Sequence, residues 1–342
     1  MASTIYYTRS FDEQAIESLF SRLYEDQGID DNKVAIKTHF GEKGNTRYVS
    51  PRLIKPITKY LQGQGHSLFV TDTNTLYPGS RLTATDHENI AREHGFDDLG
   101  IPIVIADGEH GDDEYDISVG QKHFSSVKIG RAIADVGAMV VISHFKGHIL
   151  FGFGAALKNL GMGGGSRAGK LAMHSQISPS VNTEACTGCG VCADNCAHNA
   201  IEFIDGKAGI TEACVGCARC IAVCPTGAVK IPWHGASSNQ AQERCAEYAA
   251  GTVKDKEILY VTFINNLTKD CDCLSDSEII GEDLGVVAGT DPVAVDKAAH
   301  DLIVEHHGRD IFREATGVDG THIISYAEEM GLGTQEYDLV PL

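Results

Sequence analysis

One cysteine pattern, CxxCxxCxxxC, occurs twice in the middle of this 342-residue chain. The eight cysteines fall within 39 residues, and each member of the second copy follows its counterpart by 28 residues. They are Cys186, Cys189, Cys192, Cys196, Cys214, Cys217, Cys220 and Cys224. A disulfide framework is the poorer interpretation, because the chain has an odd total of eleven cysteines and its first residues lack a secretion signal. An internal duplication of this spacing is typical of a metal-binding module.

The spacing predicts how the two copies share their ligands. Three closely spaced thiolates wrap one iron-sulfur cluster, while the fourth cysteine reaches to the other cluster. The duplication therefore predicts two 4Fe-4S clusters with crossed ligands. The first set is Cys186, Cys189, Cys192 and Cys224, and the second is Cys214, Cys217, Cys220 and Cys196. Glycines at 188, 190 and 216 suit tight turns that bring backbone N–H groups to the sulfurs. Zinc and ordinary buried thiols are the alternatives, and neither accounts for the duplication.

The stretch 181–231 resembles a bacterial two-cluster ferredoxin, including the ending Cys224-Pro225-Thr226-Gly227-Ala228. Ala197 stands where that family commonly has proline, which leaves the loop less rigid and removes no ligand. The resemblance implies one-electron transfer at low potential, an activity typical of anaerobic metabolism. The chain carries 28 Lys and Arg against 47 Asp and Glu, a net charge of -19. This balance favours a redox partner protein with a basic docking surface.

The regions on either side of this stretch predict an α/β host domain with a parallel or mixed sheet. Short apolar runs alternate with amphipathic segments, and continuous runs are expected for strands covered by helices on both faces. The runs are Val34–Ile36, Leu68–Val70, Ile103–Ile105, Met139–Ile142, Ile258–Val261 and Leu284–Ala288. We therefore predict a host domain in two parts, residues 1–180 and 232–342, interrupted by an α+β two-cluster ferredoxin-like insert over 181–231.

Local signals predict two helices of the host. Ser10 and Glu13 offer a capping box for a helix that ends at Gly28 and buries Ile16, Leu19, Phe20 and Leu23. Asp291 and Pro292 are a favourable N-cap and first helical residue for a second helix.

Composition excludes several functional classes. Hydrophobic residues make up 42% and charged residues 22% of the chain, which is enough to bury a core. The acidic charge is spread along the sequence, so nucleic acid and anionic membranes are not expected partners. No run of eighteen apolar residues and no basic, apolar leader is present, so the sequence predicts a cytoplasmic location.

A glycine- and histidine-rich stretch follows the run Met139–Ile142, at a strand end where α/β folds place their sites. Residues 164–170 fit GxxxxGK, but Leu171 replaces the hydroxyl residue of a phosphate-binding loop, and a dinucleotide-binding GxGxxG also fails. The remaining polar residues can bind an anionic substrate or cofactor phosphate, act as a general base or ligate a metal. They are His144, His148, Lys158, Arg167, Lys170 and His174. Alternatively, the glycines permit close packing against the insert and the basic residues offset its acidity.

The host also resembles a family as a whole, domain-of-unknown-function family 362. The resemblance rests on motifs spread over nearly the full length of the chain. They are 37–42 (KTHFGE), 45–49 (NTRYV), 144–159, 271–273 (CDC) and 291–296 (DPVAVD). That family implies an iron-sulfur protein with an α/β host and no agreed reaction.

More distantly, three host residues are similar in order and spacing to the histidine, cofactor-tethering lysine and nickel-ligating histidine of nickel-pincer lactate racemases. They are His148, Lys158 and His174. The racemases lack a ferredoxin insert, and 73–77 (TNTLY) lies where their upstream catalytic histidine loop is expected. The likeness implies a site location, with an additional metal or an organic cofactor as a candidate for the host.

We therefore predict catalytic residues His39, His148, Lys158 and His174, with Arg167 and Lys170 binding a cofactor or a small anionic substrate. Cys271 and Cys273 do not easily bridge each other, yet they can bind a soft metal or act as redox thiols; the alternative is a pair of reduced loop cysteines. Three functions are compatible with these residues. The first is an oxidoreductase that passes low-potential electrons from the clusters to the host. The others are an electron-transfer subunit of a larger oxidoreductase and a non-redox metalloenzyme of racemase type.

Overall fold

The computed structural model of the protein describes residues 2–174, 178–231 and 236–342. Its strands are β1 Ser3–Thr8, β2 Lys33–Lys37, β3 Ser67–Asp72, β4 Ile103–Ile105, β5 Glu114–Ser118, β6 Ser126–Gly130, β7 Ala138–His144, β8 Lys146–His148, β9 Gly152–Gly154, β10 Ser180–Val181, β11 Ile201–Ile204, β12 Lys207–Ile210, β13 Val229–Lys230, β14 Glu257–Ile264, β15 Gly285–Gly289 and β16 Tyr337–Pro341. Its α-helices are α1 Glu13–Gln27, α2 Pro51–Gly63, α3 Ala84–Glu93, α4 Arg131–Ala134, α5 Ala156–Gly164, α6 Arg167–His174, α7 Val191–Asp194, α8 Arg219–Val223, α9 Ser238–Val253, α10 Pro292–His307, α11 Ile311–Thr316 and α12 Thr321–Glu329.

An eight-stranded mixed sheet organises the host, in the order β16-β1-β15-β14-β7-β2-β3-β4. Strands β14, β7, β2, β3 and β4 run parallel to one another, and β15 is antiparallel to both of its neighbours. The α/β class and the mixed sheet are thus confirmed, and each of the six predicted apolar runs overlaps one of its strands. No strand was predicted from the sequence at β1 or β16, because each of them pairs with a strand at the opposite end of the chain.

Helices cover both faces of the sheet. Helices α1, α2 and α3 pack on one apolar cluster, whereas α5, α9, α10 and α12 pack on the other. Helix α10 is capped by Asp291, whose carboxylate accepts hydrogen bonds from two backbone N–H groups of the first turn, as predicted. Helix α1 buries the four predicted apolar residues, but its N-cap is Asp12 rather than Ser10.

The cysteine-rich stretch lies between α6 and α9 and has only short elements. Strands β10 and β13 pair antiparallel, which brings residues 180 and 230 side by side. Strands β11 and β12 form a second hairpin, and α7 and α8 are single turns. The predicted boundaries of this insert stay a prediction, and residue 232, where the second host part would begin, lies outside the described residues. Among the described helices, none has the length and apolarity needed to cross a membrane.

Candidate functional site

Two small cavities in the cysteine-rich stretch are each lined by four cysteines. The first cysteine cavity is lined by Cys186, Cys189, Cys192 and Cys224. The second cysteine cavity is lined by Cys196, Cys214, Cys217 and Cys220. Cys196 therefore lies with the later copy of the motif and Cys224 with the earlier copy, which is the grouping that crossed ligands require. All eight are free thiols in the structure.

Backbone groups around these cavities face the sulfur atoms. The N–H groups of Ala200 and Ala228 lie 3.3 Å and 3.2 Å from the Sγ atoms of Cys196 and Cys224. The backbone is left-handed at the residue before each of these N–H groups, with φ of +49° at Asn199 and +60° at Gly227. N–H groups directed at sulfur stabilise negative charge there, as thiolate ligands require. In the described part of the chain, no group of three or more His, Cys, Asp or Glu side chains closes around a single metal ion.

The insert packs directly on the host through three apolar side chains. Leu76 and Leu171, each 2% exposed, belong to the apolar cluster that contains Cys186 and Cys192, and Tyr77 packs against that cluster. An ion pair between Arg219 of the insert and Asp112 of the host lies at the edge of this contact. The host residues of this contact thus come from the loop after β3, from α6 and, at Asp112, from the segment between β4 and β5.

Leu76 and Tyr77 also line the largest described cavity, which has a volume of about 500 Å³ and is called the host cavity below. Its walls come from the segments that follow β2, β3, β7 and β14, together with α5 and α6. Those four strands run parallel, so their carboxyl ends meet at one edge of the sheet. This edge is where open α/β sheets form their ligand sites.

Five of the predicted host site residues come together in this cavity. They are His39, His148, Lys158, Lys170 and His174. Arg167 does not reach it. Its guanidinium donates hydrogen bonds to the carbonyl oxygens of Thr75, Leu82 and His110, and so braces the loops behind the cavity wall. His144 is buried and bonded to Asp272 and the Asn265 carbonyl oxygen instead of lining the cavity.

Two thiols line the same cavity as the lysines. The side chains of Cys271 and Cys273 are hydrogen-bonded to each other, and His39 Nε2 lies 3.5 Å from Cys273 Sγ. The hydrogen bond from Cys271, together with His39 and Arg81, holds the pKa of Cys273 well below its ordinary value despite burial. The pKa of Cys271 is raised by the same hydrogen bond and by burial. Of the two thiols, Cys273 is therefore the one that loses its proton more readily.

Buried ion pairs fix the residues around the thiols. Lys37 Nζ lies 3.0 Å from Asp72 Oδ1, and both side chains are almost completely buried. Burial alone would raise the pKa of Asp72, but Lys37 and nearby cationic groups hold it far below the usual range. Asp272, between the thiols in sequence, is bound by Lys146 at 2.8 Å and His144 at 2.9 Å. These pairs hold the cavity wall in one geometry.

The same cavity is lined by the nitrogen-bearing side chains of His148, Lys158, Lys170 and His174. Burial lowers the pKa of Lys170 to about 8, and burial with Lys158 and Lys170 nearby lowers the pKa of His174 to about 4. Burial and Lys158 likewise hold the pKa of His148 well below its ordinary value. At neutral pH both histidines are therefore neutral and can each give or take a hydrogen bond, while Lys158 supplies positive charge.

Sequence reasoning missed Asp72, Tyr77 and Arg81 as cavity residues. Arg81 donates hydrogen bonds to Glu42 and to the Tyr77 hydroxyl, and its Nη1 lies 3.0 Å from His39 Nε2. Position in the sequence could have identified two of them, because Asp72 ends the parallel strand β3 and Tyr77 lies in the loop that follows this strand. Arg81 carried no such signal, since only the folded loop directs it back to the cavity.

Comparison with known proteins gives a family match and two distant structural likenesses. The family model described as "Domain of unknown function (DUF362)" matches residues 34–301, more than three quarters of the chain. A crystal structure of a Thermotoga maritima protein is 11% identical with a TM-score of 0.44, over 87% of this chain and 59% of that one. The lactate racemase apoprotein from Thermoanaerobacterium thermosaccharolyticum is 14% identical with a TM-score of 0.36, over 76% of this chain and 50% of the racemase.

The chain thus spans between half and three fifths of the length of these two structures. No curated protein matches its sequence.

Proposed function

This chain belongs to the DUF362 family, and on that premise we propose that it is an iron-sulfur oxidoreductase that uses low-potential electrons on a small anionic substrate in the host cavity. One observation carries the proposal: Leu76 and Tyr77 contact the cysteine-rich insert and also line the host cavity. The cysteine sites and the cavity are therefore separated by single side chains. Electron transfer needs such proximity, whereas a purely structural insert does not.

The residues around the two cysteine cavities fit 4Fe-4S clusters. Each cavity offers four thiols, and in each a backbone N–H group lies within 3.5 Å of a cysteine sulfur. The first cluster would be held by Cys186, Cys189, Cys192 and Cys224, and the second by Cys214, Cys217, Cys220 and Cys196. When bound, such a cluster accepts and releases one electron at a time at low potential. The insert over 181–231 is accordingly a two-cluster ferredoxin-like domain in this proposal.

In this proposal, residues of the host cavity bind the substrate and exchange protons with it. Lys158 and Lys170 attract the anionic group of the substrate, and the neutral His148 and His174 bind its polar atoms. His39 exchanges protons beside Cys273. Electrons would enter from a partner protein with a basic docking surface, which the net charge of -19 attracts. Arg167 positions the loops of the cavity rather than binding a cofactor.

Metal analysis of anaerobically purified protein tests the proposal. We expect about eight irons and as many acid-labile sulfides per chain, with an absorption band that dithionite bleaches. Fewer than about four irons would contradict the proposal. Nickel, cobalt and zinc are measured in the same sample, because one of them at stoichiometric level, lost in His174→Ala, would favour a host metalloenzyme instead.

A second measurement separates an enzyme from an electron-transfer subunit. His148→Ala and Lys158→Ala should leave the iron content and dithionite bleaching unchanged but slow reoxidation by the substrate about tenfold or more. If electron flow to every acceptor survives both substitutions, the host is only a docking platform.

A further inference from the structure

Cys271 and Cys273 are placed where the host cavity meets the route from the insert. Tyr77 packs against the apolar cluster of the insert, and its side chain is hydrogen-bonded to Cys273. The same tyrosine lines the cavity together with both cysteines. Tyr77 therefore connects the thiols with the contact between host and insert.

The loop that carries the thiols is held against β8 without space for a side chain. The Gly147 N–H donates to the Thr268 carbonyl oxygen at 2.7 Å. A Cβ atom on Gly147 would lie 2.0 Å from the Lys269 carbonyl oxygen. This hydrogen bond and the close approach of the two backbones hold the start of the loop against β8.

His39 is oriented to serve Cys273. The backbone N–H of Gly41 donates to His39 Nδ1 at 2.9 Å and so fixes the ring. His39 Nε2 lies 3.0 Å from Arg81 Nη1 and 3.5 Å from Cys273 Sγ. The Arg81 guanidinium is therefore close to Cys273, and positive charge near a thiol stabilises the thiolate nucleophile.

From this cluster we infer that Cys271 and Cys273 are a redox-active dithiol that reduces small anionic disulfides in the host cavity, an inference that rests on the proposed function. A disulfide across a single intervening residue is strained, which makes it easy to reduce. This strain suits a pair that is oxidised by the substrate and reduced again in every turnover.

Two thiol-disulfide exchanges would reduce the substrate. The Cys273 thiolate attacks one sulfur of a substrate R–S–S–R′, which breaks that bond and forms a mixed disulfide, while the departing R′–S⁻ takes the proton of the Cys271 thiol. The Cys271 thiolate then attacks Cys273 Sγ, which forms the Cys271–Cys273 disulfide and releases R–S⁻. Two electrons from a low-potential one-electron donor reduce the Cys271–Cys273 disulfide to a thiol and a thiolate. With two protons from water, the sum is R–S–S–R′ + 2 e⁻ + 2 H⁺ → RSH + R′SH.

The charge of the substrate follows from Lys158. Its Nζ lies 5.5 Å from the Phe151 ring centre, and no carboxylate of the described residues forms an ion pair with it. Lys170 lines the same wall. A carboxylate on the disulfide would give Lys158 the partner that the described residues do not supply, and a cavity of about 500 Å³ holds a small molecule.

Thiol trapping tests the dithiol independently of turnover. Iron-loaded protein is treated with diamide, alkylated with N-ethylmaleimide and digested with trypsin. The mass of the peptide 270–297, which contains Cys271 and Cys273 and no other cysteine, is then measured by mass spectrometry. We expect it to lose both alkyl groups and two mass units after diamide, and to regain both alkyl groups after dithionite. Cys273→Ser should leave Cys271 alkylated throughout, and Cys245→Ala, a buried thiol elsewhere, should behave like the native protein.

Turnover then defines the substrate class. Dithionite-reduced protein freed of excess reductant is mixed with 2,2′-dithiodiacetate or with cystamine, a disulfide of similar size and opposite charge. The anionic disulfide should reoxidise the protein about tenfold faster, and Lys158→Met should remove most of this preference. Equal rates would overturn the assignment of an anionic substrate.

The two proposals fail in different ways. A full complement of iron with a peptide that stays doubly alkylated after diamide would overturn the dithiol and leave the iron-sulfur function standing. Protein without iron would overturn both, because the dithiol would then have no source of single electrons.

Discussion

The cysteine-rich insert and the host cavity are built on opposite principles. The insert has a small apolar cluster, two-stranded ribbons and single-turn helices, and its eight cysteines lie within 39 residues of one another. The cavity is assembled from segments more than 200 residues apart, fixed by the ends of parallel strands and by buried ion pairs. We therefore expect the insert to depend on a bound metal for its order, whereas the cavity is organised by its own packing.

The largest expected effect, on iron content and on resistance to trypsin, comes from substitution of a cysteine in the insert. The Cys192→Ser variant should lose about four of about eight irons. Trypsin should then cut it after Arg219 and Lys230 while the host remains folded, because the insert has few apolar residues of its own. Cys245→Ala is the matched control. Iron analysis and limited proteolysis are the measurements. Equal resistance to trypsin in the two variants would mean that the insert is stable without its ligands.

A buried ion pair of the cavity gives the next largest effect. Asp72→Asn leaves the Lys37 ammonium buried without its carboxylate, so the free energy of unfolding should fall by about 3–5 kcal/mol. Asp97→Asn, at a mostly exposed carboxylate, is the control and should change it by less than about 1 kcal/mol. Urea unfolding monitored by circular dichroism measures both. A loss no larger than in the control would show that the cavity wall does not depend on this pair.

The pH dependence of stability sharpens the same point at Asp272. Burial raises its pKa, but His144 and Lys146 outweigh burial and hold the pKa far below the unfolded value of about 3.9. A carboxyl group with a depressed folded pKa stabilises the protein fully above the unfolded value, and this contribution is lost as the pH falls below it.

Asp272→Asn should therefore be less stable at pH 7 and lose stability less steeply between about pH 5 and pH 3. Urea midpoints across this range give the two slopes. Parallel curves for the native protein and the variant would contradict the depressed pKa.

The smallest effect concerns the edge between the two regions. The Arg219–Asp112 ion pair is partly exposed on both sides, so Asp112→Asn should change the free energy of unfolding by less than about 1 kcal/mol. Leu171→Ala, which opens the apolar contact with the insert, should cost about 2–5 kcal/mol. Urea unfolding measures both variants. A larger loss of stability in Asp112→Asn than in Leu171→Ala would mean that the ion pair, and not apolar packing, holds the insert on the host.

The same contrast explains which features sequence reasoning could reach. The grouping of cysteines in each cavity could be predicted from the duplicated spacing, because three cysteines of each set lie within seven residues and the fourth comes from the other copy of the motif. The parallel strands were also predicted, since continuous apolar runs such as Val34–Ile36 need burial on both faces.

Other features depend on the finished fold. Arg81 reaches the cavity only through a folded loop, and the contact between Gly147 and Lys269 joins segments 122 residues apart. Strand β1 was missed because its partners, β15 and β16, lie near the other end of the chain. No local pattern encodes such pairings, because they are selected by packing across the whole sheet.

The position of β1 also sets an order for biosynthesis. Residues 3–7 pair with residues 337–341, and β7 pairs with β14 across the whole cysteine-rich insert. During translation the eight cysteines leave the ribosome more than 100 residues before the last strand of the sheet. The eight thiols are therefore exposed to oxidation while the host sheet is still incomplete, and in the proposed function they would have to take up iron before that oxidation occurs.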